Sequence, residues 1–197
     1  MKLNWIERLY VNSPIRLAAQ QLEVRWFAKK RPLDAGATIL EIGCGRGAGA
    51  GIIFREFRPA RLYLSDFDIR MVKQARNYLD GKKQTKTHFC LADAANLPFD
   101  SQRFDAVFGF GFLHHVPQWR NALAEVVRVL KAGGVYYLVE FYPQLYQNII
   151  TKHLLFHPER DRFKSNDLKS AFEMLDLSLA HAKELKNMGI IGIGIKR

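Results

Sequence analysis

Cysteine is scarce: the 197 residues contain two, Cys44 and Cys90. Neither belongs to a Cys-x-x-Cys pair or has a histidine at ligand spacing, which argues against a zinc site and against a disulfide framework. Both thiols are expected to be buried in a reducing compartment. Long apolar runs are missing too. None approaches the roughly 18 residues of a bilayer-spanning helix. The start, Met1-Lys2-Leu3-Asn4-Trp5-Ile6-Glu7, lacks the apolar stretch and small-residue cleavage site of a secretion signal, so a cytoplasmic location is expected. Acidic residues are in deficit, 19 against 30 Lys and Arg, for a formal net charge of +11. That balance admits a polyanionic partner or an anionic membrane surface. The basic residues are scattered, however, densest at Lys29-Lys30-Arg31 and at Lys82-Lys83 with Lys86, and a solvated surface is the simpler expectation. Repeats and low-complexity stretches are absent.

What is present is enough chain for one domain with a substantial core. We divide residues 1–197 into a helical leader over the active site (1–35), a core (38–141) and an acceptor-side segment ending in a hairpin (142–197). Leu3, Ile6, Leu9 and Tyr10 lie at helical spacing. Ser13-Pro14 reads as N-cap and first helical residue of a second helix, with Ile15, Ala18, Ala19, Leu22 and Trp26 as its apolar face. Strands are predicted at Thr38–Ile42, Arg61–Ser65, Thr87–Leu91, Asp105–Phe110 and Val135–Phe141. Helices are predicted near 47–57, after a cap at Asp68 with Met71, Val72, Ala75, Tyr78 and Leu79 facing inward, and from Pro117 to Leu130. Lys131-Ala132-Gly133-Gly134 reads as a turn. This alternation implies an α/β fold, a parallel sheet covered on both faces. A helix at Ser165–Leu175 precedes a hairpin, Leu177–Lys186 and Ile190–Lys196, about Asn187-Met188-Gly189. Gly192 and Gly194 alternate with Ile191, Ile193 and Ile195, so another element is expected to press close on the bare face.

Gly43, Gly45 and Gly47 follow a strand and open a helix. Glycine there permits positive φ and lets a ligand approach the backbone, in the crevice where open α/β sheets bind ligands. The spacing also satisfies a relaxed dinucleotide fingerprint, with Asp66 where a ribose-binding acid belongs. Glu41, two residues before Gly43, suits a cationic ligand better than a pyrophosphate.

Ile39-Leu40-Glu41-Ile42-Gly43-Cys44-Gly45-Arg46-Gly47 resembles the first motif of class I S-adenosylmethionine-dependent methyltransferases. The resemblance continues through Asp66 with Met71, Asp93-Ala94-Ala95-Asn96-Leu97-Pro98-Phe99, Phe104-Asp105-Ala106-Val107, Leu113-His114-His115-Val116 and Leu130-Lys131-Ala132-Gly133-Gly134. By pattern it is nearest to the small-molecule enzymes of the ubiquinone and menaquinone biosynthesis type. It implies a Rossmann-like, doubly wound sheet of seven strands, mostly parallel, with an antiparallel strand from the C-terminal hairpin. It implies S-adenosylmethionine as cofactor: Glu41, Gly43, Cys44, Gly45 and Gly47 in the glycine turn, Asp66 on the ribose hydroxyls with Phe67 and Met71 beside it, Asp93 reading the adenine amino group with the Ala94 amide, and Phe110 at the end of the fourth strand. Phe67 and Leu97 are candidates to sandwich the adenine. Asp93 equally suits an Asx turn before Pro98.

Displacement of methyl from a sulfonium needs positioning and exclusion of water more than acid catalysis. A base is required only where the acceptor must lose a proton. His114 and His115 are the candidates for it; the competing reading has them holding the loop by packing and hydrogen bonds. The acceptor pocket is expected between the leader, the loop after His115 and the stretch from Glu140 to Asp161, with Phe141, Tyr142, Tyr146, Leu154, Leu155, Phe156 and His157. These aromatic and aliphatic side chains suit a small flat or lipid-like acceptor. Trp5, Ile6, Leu9 and Tyr10 with Arg8 and Arg16 suit a weak peripheral membrane contact, though folding over the active site explains the same pattern. Three other readings are a nucleic-acid methyltransferase, a non-catalytic cofactor-binding protein and an NAD-dependent oxidoreductase. Against the first, Gly109-Phe110-Gly111-Phe112 stands where base-amino methylases resemble an Asn/Asp-Pro-Pro-aromatic motif. No obligate nucleic-acid partner and no metal are expected, and no pattern names an oligomeric state.

Overall fold

The computed structural model describes residues 13–79, 81–146 and 161–197. Helix α1 (Pro14–Lys30) begins as its sequence demands: Ser13 Oγ accepts from the Arg16 N–H at 3.2 Å, and Pro14 holds the first position. Its buried side is not the expected one. Ile15 and Leu22 are 79% and 67% exposed, while Arg16, Gln20, Val24 and Phe27 face inward. Both stripes have helical spacing, so periodicity alone does not choose between them. The contacts do. Phe27 packs against the rings of Phe108, Phe110 and Tyr137, and the buried Arg16 guanidinium is paired with Glu23 at 3.0 Å.

Seven strands form one sheet: β1 (Thr38–Ile42), β2 (Arg61–Asp66), β3 (Thr87–Leu91), β4 (Phe104–Phe110), β5 (Leu130–Phe141), β6 (Leu177–Leu185) and β7 (Gly189–Lys196). Their order is β3-β2-β1-β4-β5-β7-β6. Strands β1 to β5 run parallel, and β7 is antiparallel to both β5 and β6. The chain winds outward from β1 in one direction and from β4 in the other, so a crevice opens between the carboxyl ends of these two neighbours.

The helices that follow α1 are α2 (Ala48–Phe57), α3 (Ile69–Tyr78), the short α4 (Gly81–Gln84), α5 (Trp119–Val129), the short α6 (Pro143–Tyr146) and α7 (Ser165–Met174). Alternation along each strand feeds two cores. On one face Val24, Phe27, Ile52 and Ile53 pack onto Ile39, Phe108, Tyr137 and Ile193. On the other, Leu123, Val126, Leu168 and Phe172 pack onto Leu40, Val107, Tyr136 and Leu138. A strand buried on both faces has apolar residues at successive positions, as β4 and β5 do.

Local departures have local causes. Tyr78, expected inside, is 50% exposed at the last position of α3, whereas Val72 and Ala75 are buried. Lys131-Ala132-Gly133-Gly134 is not a free turn but a bulge within β5. There the register jumps from Phe104↔Leu130 to Ala106↔Val135 and Gly133 takes φ +71°. The bare face of β7 is covered as expected: a methyl group on Gly194 would sit 2.9 Å from Leu177 Cγ and 3.2 Å from Phe172 Cε2 of α7. Of the two thiols, Cys44 is buried but Cys90 is partly exposed. No described helix is long and apolar enough to cross a membrane.

Candidate cofactor and active site

The glycine turn is bent over the end of β2. The Gly43 and Cys44 amides both donate to the Ser65 carbonyl, at 2.9 and 3.0 Å, and the Gly47 amide returns to the Cys44 carbonyl at 2.9 Å. This path needs positive φ at Gly43 (+70°), Gly45 (+53°) and Gly47 (+88°), which side chains disfavour. Gly47 also lets α2 approach α3: a methyl group there would lie 3.1 Å from Ala75 Cα. Gly45 differs, because nothing lies within 4 Å of where its side chain would be. The turn is therefore open towards the crevice at that residue.

Asp66 ends β2 beside this opening. Its Oδ2 accepts from the Gly45 N–H at 3.0 Å and its Oδ1 from the Asp68 N–H at 2.9 Å. Burial raises its pKa, and these two amide bonds oppose the shift. Each carboxylate oxygen has more than one acceptor site, so both can take a further donor. Asp68 does a different job. It caps α3 through the Arg70 N–H at 3.0 Å, and the Arg70 guanidinium grips its carboxylate. At the end of β3, Asp93 Oδ1 accepts from the Ala95 N–H at 2.9 Å. That is the Asx turn, and the same residue lines the cleft, so the two readings of Asp93 are compatible.

The cleft has a volume of about 540 Å³. It gathers Gly43, Gly45, Asp66, Phe67, Met71, Asp93, Ala94, Phe110 and His115, all expected site residues, from the tips of β1, β2, β3 and β4. Phe112, Gly111 and Gln118 line it as well, without having been singled out. Of the expected glycine-turn and histidine residues, Cys44, Gly47, Glu41 and His114 lie outside the lining, as does Phe141 of the expected acceptor pocket. Cys44 and Gly47 are buried in the turn, and burial pushes the Cys44 thiol up. Glu41 is 2% exposed behind the glycines, where a side chain on Gly49 would run into its Oε1 and into Gln20 Nε2. Burial, and then the charge of Asp66, push the Glu41 carboxyl from 4.5 to about 8. His114 is buried as well, with Nδ1 2.8 Å from Oε2 of Glu140.

Three other expectations are corrected. Leu97 does not flank the cleft. It is 4% exposed within the core, its amide held by Glu125 at 2.7 Å. Tyr142 is 1% exposed and turns away, donating to Glu184 at 2.9 Å. Arg16 is buried against Glu23 and presents no charge to a membrane. Trp5, Ile6, Arg8, Leu9, Tyr10, Leu154, Leu155, Phe156 and His157, and the side chain of Tyr146, lie outside the described residues. Sequence reasoning passed over Glu140 itself. Its signal was a lone acid in the apolar run Val135–Phe141.

Residues 40–138 match the family described as "Methyltransferase domain". The chain belongs to this family. Among curated proteins it is 39% identical over 111 residues to the phthiotriol/phenolphthiotriol dimycocerosates methyltransferase of Mycobacterium tuberculosis, covering 55% of this chain and 39% of that one. It is 35% identical over 112 residues to the fatty-acid O-methyltransferase of Mycolicibacterium smegmatis, with the same coverage, 55% and 39%. The matched stretch thus covers well under half the length of these relatives. A solved S-adenosylmethionine-dependent methyltransferase from Aquifex aeolicus superposes with TM-score 0.77 over 100% of both chains at 15% identity, which establishes the shared fold.

The residues gathered at the crevice fit S-adenosylmethionine, the cofactor that the sequence resemblance implies. The open position at Gly45 lets a nucleoside approach the backbone. Asp66 offers the paired acceptors that a ribose diol requires. Behind the turn, Glu41 Oε2 is buried without a hydrogen-bond partner.

Proposed function

We propose that this domain transfers a methyl group from S-adenosylmethionine to a small hydrophobic or lipid-like acceptor. The observation that carries the reading is the juxtaposition at one crevice of Asp66, fixed by two backbone amides, with a wall of Phe110, Phe112, Met71 and Val116. When bound, the cofactor supplies an electrophilic methyl group on a sulfonium, which leaves without protonation. The chain's own part is then to hold the ribose at Asp66, the adenine at Asp93 and the acceptor against the apolar wall. Alignment and exclusion of water account for most of the acceleration in such a displacement. His115 lines the cleft, and in this reading it accepts the proton of a hydroxyl or phenol acceptor. The named relatives support the acceptor class, one being a fatty-acid and the other a phthiotriol dimycocerosate methyltransferase.

The test is a labelled-donor assay with a long-chain fatty acid, a long-chain phenol and a quinol as acceptors. The proposal expects label in at least one apolar product. It also expects loss of that label in Asp66→Ala, whose S-adenosylhomocysteine affinity should fall on the order of 100-fold as two charge-assisted bonds disappear. Methylation of RNA but of none of the three acceptors would refute the acceptor class.

A further inference from the structure

The Glu140 carboxylate is fully buried, at the carboxyl end of β5, and the reaction outlined above makes no use of it. Its Oε1 accepts from the Leu113 N–H at 3.0 Å. Its Oε2 faces His114 Nδ1 at 2.8 Å, with the His114 N–H directed at the same oxygen from 3.4 Å. The leading amides of the 3-10 turn Leu113–His115 are thus capped by a side chain from another strand. An ionised carboxylate only accepts hydrogen bonds, so the contact requires a proton on His114 Nδ1 and makes Nε2 the acceptor of the neutral ring. Phe141 meets this ring edge-on at 5.6 Å between centroids, and His115 lies over it at 4.3 Å. Gly111 closes a third side: a methyl group on it would touch His114 Cε1 at 3.4 Å. Gly111 and His115 are both part of the cleft wall.

We propose that Glu140 is a positioning residue: it fixes His114 as the Nδ1–H tautomer and, through the turn it caps, sets where His115 stands in the cleft. Burying a carboxylate is costly unless its oxygens are satisfied, and removing one partner is costlier still. A neutral cap would hold the turn with less desolvation. What only the carboxylate provides is acceptance from the Leu113 amide and from the imidazole together. Glutamine shows the difference. Its amide has one accepting and one donating end, so keeping the Leu113 bond turns an N–H towards His114. Nδ1 must then become an acceptor and the ring must adopt the other tautomer. The inference rests on the proposed function only in giving His115 something to act on.

The experiment is nitrogen–proton correlation spectroscopy of the histidine rings in the full chain, with the His114 signals assigned from His114→Gln. The native chain is expected to show His114 protonated at Nδ1. In Glu140→Gln the ring should show the Nε2–H pattern and the His115 ring signals should move, with S-adenosylhomocysteine affinity kept within about twofold. An Nε2–H tautomer in the native chain overturns the inference, whether or not the variant folds. So does a folded Glu140→Gln whose His114 and His115 signals match the native ones. Failure of the native chain to bind S-adenosylhomocysteine would instead count against the proposed function and leave the tautomer result standing.

Discussion

Replacing Gly43 by alanine tests the glycine turn at its tightest point. Two costs coincide there. At φ +70° an L-residue takes the left-handed conformation, which costs roughly 1–2 kcal/mol. The added methyl would lie 2.8 Å from Phe112 Cβ, where carbon pairs are comfortable only near ~3.5–4 Å. Overpacking of this kind costs about 1–3 kcal/mol, because Phe112 Cβ can withdraw only by carrying its backbone with it. The sum is about 2–5 kcal/mol, a large share of a domain's usual ~5–15 kcal/mol. Two neighbouring glycines separate the terms. Gly45 has φ +53° but nothing within 4 Å, so Gly45→Ala should cost only the conformational part, roughly 1–2 kcal/mol. Gly51 sits inside α2 with open space around it, so Gly51→Ala should stabilise by roughly 0.5–1 kcal/mol. Urea unfolding followed by tryptophan fluorescence measures all three. A Gly43→Ala variant no less stable than Gly45→Ala would refute the assignment of Phe112 as the residue packed against the turn.

The inward face of α1 makes a second prediction. Phe27→Ala should cost about 3–5 kcal/mol in the same unfolding assay, whereas Ile15→Ser should fall within about 0.5 kcal/mol of the parent. Glu41 makes a pH-dependent one. Its carboxyl titrates at 4.5 when unperturbed and at about 8 in the folded chain, so the native state holds more protons in between. Stability should therefore fall as pH rises through that window and level off above it, and Glu41→Gln should flatten the slope and be the more stable chain at pH 8. An unchanged slope in Glu41→Gln would exclude this residue as the source.

The order of strands and helices was legible because each element carried its own signal. Ser13-Pro14 started α1, the glycines punctuated the first crossover, Asp68 capped α3, and the β-branched run Ile190–Lys196 followed the hairpin turn. The cleft's acids were legible for a related reason. Asp66 and Asp93 stand at strand ends, and strand ends of a parallel sheet converge on one crevice. What escaped depended on distant partners. The face of α1 was misassigned because Arg16 and Gln20 look solvent-bound until Glu23 and Gly49 are set beside them. Leu97 and Tyr142 were placed by adjacency in sequence, yet Glu125 and Glu184 draw them away from the cleft. Glu140 went unread because its partners lie 26 and 27 residues earlier in the chain.

Isothermal titration of the whole chain with S-adenosylhomocysteine, and in parallel with NAD, bears most directly on the idea that an adenosyl ligand occupies the crevice at Asp66. Saturable heat from the thioether nucleoside, weakened on the order of 100-fold in the Asp66→Ala chain, and none from the dinucleotide is the result expected. Binding of NAD alone, or an affinity unchanged by loss of the Asp66 carboxylate, would contradict it.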